Sequence, residues 1–134
     1  KEAAGFVDKA EFEKIKRTGK TAVHNWIDNQ LNGTSVTVVL IGSDTLNRPF
    51  VQYEICESLK RGNGVIGVYI HNIKDMITQK GSVKGNSHTV IGYYSDGSPA
   101  YFDNVYDGLY DYIEQDGYNN LGSWIETAAK AHNK

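Results

Sequence analysis

The chain has 134 residues, 40% of them hydrophobic, with 14 Lys and Arg against 16 Asp and Glu and a net charge of −2. That length suits one compact domain with a sizeable core and is too short for two. Near-balanced charge argues against a dedicated nucleic-acid binder, no run approaches the ~20 apolar residues of a membrane span, and residues 1–9 hold no apolar signal-peptide core.

Along the chain, Ala3 to Val7 is a short apolar stretch that reads as a brief strand, and Ala10 to Arg17 suits a short helix or turn. From Lys20, Ala22, Val23, Trp26, Ile27 and Leu31 recur at spacings of three and four, the period of an amphipathic helix. Asn32-Gly33 ends it, because both residues tolerate the left-handed backbone of a helix stop. Ser35 to Ile41 is a nearly unbroken β-branched run, the mark of a strand buried on both faces of a parallel sheet. Residues 42–48 are loop. Pro49 then suits the first turn of a helix whose apolar stripe is Val51, Ile55 and Leu59, stopped by Arg61-Gly62-Asn63-Gly64. Val65 to Ile70 is a second buried-type strand. Strand, helix, strand within some 36 positions predicts parallel strands with a right-handed crossover.

Beyond it, Lys74 to Ser98 is rich in Gly, Ser, Lys and Asn and reads as a long surface loop, with a late strand at Val90 to Tyr94. Residues 101–118 suggest loop plus a helix near Val105–Glu114, and Ser123 to Ala131 a closing amphipathic helix. Cys56 is the single cysteine, so no intrachain disulfide forms. It reads as a packed helix residue in a cytoplasmic protein. Arg17-Thr18-Gly19-Lys20-Thr21 imitates the end of a P-loop but has Lys14 where the first Gly belongs. Four scattered histidines show no metal-ligand spacing, so no metal is expected, and His24 is expected on a helix surface.

Ligands of open α/β sheets collect beyond the carboxyl ends of the strands, here residues 42–48 and the segment from His71 onward. Ser43, Thr45 and Asn47 offer polar groups there for ribose or phosphate, and His71 ends a strand at the same edge. Phe50, Glu54 and Ser58 share one helix face. An aromatic ring beside a carboxylate suits a ribose-bearing ligand. The plain alternative is an ordinary solvated glutamate, and periodicity leaves the two open.

The blocks from Thr34 to Thr45, Arg48-Pro-Phe-Val-Gln-Tyr-Glu-Ile55 and Gly62 to Asn72 closely resemble the TIR-like domains of Thoeris anti-phage defence proteins. Weaker likeness extends to Gly5-Phe-Val-Asp8 and to Asp116-Gly-Tyr-Asn119 through Ser123-Trp-Ile125. The resemblance implies a flavodoxin-like, three-layer α/β sandwich with a mainly parallel central sheet. Against that family the chain starts after the first strand and helix. Residues 1–134 are therefore expected to form a single TIR-like domain without those elements, and the native protein to be longer. In NAD-cleaving TIR enzymes an aromatic residue precedes the catalytic Glu by four positions. That pattern falls on Phe50 and Glu54, with Phe50 in place of the usual Trp. The implied activity takes NAD as substrate with no cofactor, releases nicotinamide and makes a cyclic ADP-ribose-type signal for a separate effector protein. The loop from Lys74 to Ser98 is a candidate lid, and a phage-protein trigger and a homo-oligomer are compatible with the family. Two rivals remain: a TIR-like interaction module without catalysis, and a nucleoside deoxyribosyltransferase-like enzyme with Glu54 as covalent nucleophile.

Overall fold

The computed structural model describes residues 3–4, 19–74 and 81–134. Strands β1 (Ala3–Ala4), β2 (Val36–Ile41), β3 (Gly64–Tyr69) and β6 (Gly108–Asp111) form a four-stranded sheet in the order β1-β2-β3-β6, parallel at every junction. The register pairs Val36 with Gly64 through Ile41 with Tyr69, and Ile66 with Gly108 through Tyr69 with Asp111.

Both faces of this sheet are covered, so its inner strands carry apolar side chains at almost every position. Helix α2 (Pro49–Lys60) lies over Val39, Ile41, Val65 and Tyr69 through its buried Ile55 and partly buried Val51 and Leu59. Helix α3 (Gly117–Ala131) covers the other face, packing Ala128, Ala129, Trp124 and Ile125 on Val36, Val38, Ile66 and Val68. Helix α1 (Lys20–Leu31) lies beside α2, burying Val23, Ile27 and Leu31 against Phe50 and Tyr53. The result is an α/β sandwich with a parallel sheet between helical layers. Predicted stop signals act as expected: Gly33 and Gly62 have φ of 77° and 70°, values that favour glycine, and Pro49 opens α2.

The late strand expected at Val90 to Tyr94 is β4 (Val90–Tyr93), which forms an antiparallel hairpin with β5 (Pro99–Tyr101) apart from the main sheet. Two expectations change. The helix expected near Val105–Glu114 is instead β6, because alternation within Gly-Leu-Tyr-Asp serves two different cores. Leu109 packs into the α2-side cluster, while Tyr110 stacks on Trp124 of α3 with ring centroids 4.2 Å apart. The closing helix begins at Gly117 rather than Ser123. Of the brief N-terminal strand, Ala3–Ala4 is present and the remainder lies outside the described residues, as does the element expected at Ala10–Arg17. No described helix is long and apolar enough to cross a membrane.

Candidate active site

Glu54 is fixed in direction by its neighbours on α2. One residue earlier, the Tyr53 hydroxyl donates to both carboxylate oxygens of Asp28 on α1, at 2.9 and 3.0 Å. One turn later, Ser58 Oγ lies 2.6 Å from Thr37 Oγ1 on β2 and donates to the Glu54 carbonyl at 2.7 Å. Glu54 therefore points into the corner between α1 and the sheet. Because α2 runs antiparallel to β2, it sits one turn nearer than Ser58 to the strand's carboxyl end. It is 8% exposed, and among the described residues its carboxylate meets no hydrogen-bond donor. Burial alone pushes its pKa from an ordinary 4.5 to about 7. The solvated-glutamate reading fails on this point.

The loop after β2 is built around a short 3₁₀ turn, Thr45–Asn47, with Leu46 plugged into the core. The Gly42 amide donates to Thr45 Oγ1 at 2.9 Å, so this hydroxyl oxygen helps to shape the turn. Ser43 and Asn47 are exposed at the carboxyl edge of β2. Gln52 Nε2 clamps the region by donating to the carbonyls of Leu46 at 2.8 Å and Val90 at 3.2 Å. Phe50 is half-buried in the α1–α2 seam, edge-on to His24 at 6.3 Å. His24 is not free on a helix surface: it stacks on Tyr53 with ring centroids 3.7 Å apart. Cys56 is packed as expected, its thiol directed at the Ile91 carbonyl and its pKa raised mainly by burial.

At the end of β3, His71 Nε2 lies 3.9 Å from Asp111 Oδ2, and Nδ1 is buried with no hydrogen-bond partner among the described residues. Asp111, ending the neighbouring β6, accepts from the Ile113 and Glu114 amides at 3.0 Å each and from Asn72 Nδ2 at 2.9 Å. Burial pushes its carboxyl up, but these hydrogen bonds and the nearby His71 outweigh it and hold the pKa below the usual carboxylate range. Residues 81–85, within the segment expected as a lid, cross this edge. The Ser82 amide donates to the His71 carbonyl at 2.7 Å, and a Cβ on Gly85 would lie 2.5 Å from the Gly42 carbonyl oxygen. Residues 81–85 thus form a strap across the carboxyl ends of β2 and β3.

A buried carboxyl near the carboxyl ends of parallel strands is compatible with several families, and sequence comparison decides among them. The family described as "Thoeris protein ThsB, TIR-like domain" matches residues 1–75. A Bacillus cereus (strain MSX-D12) protein named "Putative cyclic ADP-D-ribose synthase ThsB1" is 33% identical over an alignment of 159 positions, spanning 92% of this chain and 82% of the relative. The chain belongs to the Thoeris ThsB TIR-like family. The ThsB match spans α1, β2, α2 and the end of β3, and so includes Ser43, Thr45, Asn47, Phe50, Glu54 and His71. Within it, the structure brings Ser43, Asn47 and His71 to one sheet edge, buries Glu54 behind that edge and turns Phe50 into the helix seam. The strap and Asp111 lie beyond the matched span. Asp111 was invisible to sequence reading, because its partner His71 is forty positions away and only the β3–β6 pairing joins them.

Proposed function

We propose that this ThsB-family chain cleaves NAD between nicotinamide and ribose and joins the freed ribosyl carbon to an acceptor within the same molecule, giving a cyclic ADP-ribose. The name of the B. cereus relative, a cyclic ADP-D-ribose synthase, supports the reaction. The observation that carries the assignment to a residue is Glu54, a buried carboxyl that meets no hydrogen-bond donor among the described residues and is pushed up to about 7.

Nicotinamide departs as a neutral pyridine with the glycosidic electron pair, so no acid is needed to protonate it. The charge to be stabilised is the positive one growing on the ribose. A fixed carboxylate in a water-poor corner acts most strongly on charge that develops during the reaction. The substrate's pyridinium helps to prepare it, because a cation approaching Glu54 favours the ionised form. Ser43 and Asn47 would engage ribose or phosphate, His71 would face the same ligand, and Phe50 would wall the nicotinamide side. The acceptor group within the same molecule bonds to the freed ribosyl carbon, any proton it carries passing to solvent, and the strap over the strand ends limits competition from water. The product then leaves as a diffusible signal for a separate effector.

Nicotinamide release and product chromatography on wild type and Glu54→Gln test this. Substitution is expected to lower turnover by at least ~10²–10³-fold. The wild-type kcat/KM should rise with pH through about 7, as free Glu54 ionises. Turnover that survives Glu54→Gln would remove Glu54 from the chemistry. A trapped glycosyl adduct on Glu54 would identify a covalent transferase, and no turnover in wild type would favour the interaction module.

A further inference from the structure

Lys84 occupies the middle of the strap. On one side of it the Ser82 amide is bound to the His71 carbonyl at the end of β3; on the other, Gly85 rests against the Gly42 carbonyl at the end of β2. A side chain at Gly85 would also come within 2.8 Å of Ile41 Cγ2, so glycine there is what lets the strap approach the edge. From this position Lys84 Nζ lies 4.7 Å from the centroid of the Tyr69 ring, and among the described residues it pairs with no carboxylate. An aromatic face orients an ammonium group weakly and leaves its charge uncompensated. Asp111, the buried carboxylate that ends β6 at this edge, is already committed to two amides and Asn72.

We infer that Lys84 is the anion-binding residue of this site, its ammonium group taking the diphosphate of a dinucleotide that lies across the carboxyl ends of β2 and β3. This rests on the nucleotide reading given above but not on Glu54 or on catalysis. In NAD and in ADP-ribose the negative charge is confined to the diphosphate, so a cation held above the strand edge fixes which part of the ligand sits there. Glu54, on the other side of β2's end, is then left to the ribose that bears nicotinamide. The tyrosine ring holds the ammonium in place before the ligand arrives, and Arg in its place would keep both the charge and the ring contact.

Binding of inorganic pyrophosphate, ADP-ribose and adenosine to the whole chain tests this by calorimetry, with Lys84→Gln, Lys84→Arg and Lys60→Gln compared. Lys60 is exposed at the far end of α2 and controls for the loss of one positive charge. Lys84→Gln should weaken pyrophosphate and ADP-ribose by about tenfold, as expected for one charge-assisted contact. It should leave adenosine unaffected, and Lys84→Arg and Lys60→Gln should stay near wild type. Added salt should weaken ADP-ribose binding to wild type more than to Lys84→Gln. Lys84-dependent pyrophosphate binding without any ADP-ribose binding would uphold the anion site and sink the nucleotide reading. Equal affinity of wild type and Lys84→Gln for both anions, or no anion binding by wild type, would overturn the role of Lys84.

Discussion

Glu54 is costly to the fold for the same reason that it suits the proposed reaction. Its pKa stands near 7 in the folded chain against an ordinary 4.5, so the native state prefers the protonated form. The sign follows: its contribution is most favourable below pH 4.5 and is lost as pH rises through 7, where burial of the charge costs about 3 kcal/mol. Glu54→Gln should match wild type in pH dependence below pH 4.5 and gain on it up to pH 8, by roughly 8–10 °C in Tm. The difference between the two pH values isolates the charge, because a buried amide carries its own pH-independent cost. Thermal melts of both proteins at pH 4.5 and 8 check it, and a constant gap would show that Glu54 is hydrated. The residue itself was legible, since helical spacing put it on one face with Phe50 and Ser58. Its depth was not: the corner is closed by α1, some thirty positions earlier, and no local pattern reports that packing.

The elements divide by how local their causes are. Helix α1, strand β2, helix α2 and strand β3 were all readable, because continuous β-branched runs, a 3.6-residue period and Gly or Pro punctuation each act within a few residues. Strand β6 was not, since the four residues Gly-Leu-Tyr-Asp become a strand by pairing with β3 and carry no β-branched run to set them apart from the helix expected there. The strap shows the same limit: composition marked it as irregular, while its course over the strand ends depends on contacts with Gly42 and His71. Gly85→Ala tests the fit. The added methyl meets backbone, so the strap should lift, with about tenfold faster hydrogen exchange at the Ser82 amide and little change in Tm. An unchanged exchange rate would mean that the strap accommodates the methyl without leaving the edge.

Across the whole molecule, the sheet separates two cores, and the β4–β5 hairpin joins the one on the α2 side through Ile91 and Ala100 and through Phe102, which directly follows β5. Phe102 is completely buried and reaches the sheet at Gly67, where a Cβ would lie 2.8 Å from its ring and 2.9 Å from Ile41 Cδ1 and Leu109 Cδ1. A missing methyl on β3 is thus the socket for the hairpin. Gly67→Ala alone should cost about 1–3 kcal/mol by overfilling that space, read from urea denaturation. Combined with Phe102→Leu, the loss should be smaller than the sum of the single changes by about 0.5 kcal/mol or more, whereas strict additivity would show that the ring and the glycine do not share the space. Two positions 35 residues apart are then bound into one epistatic unit. Neither can drift alone, and a lineage that enlarges one must shrink the other before the hairpin can change its seat.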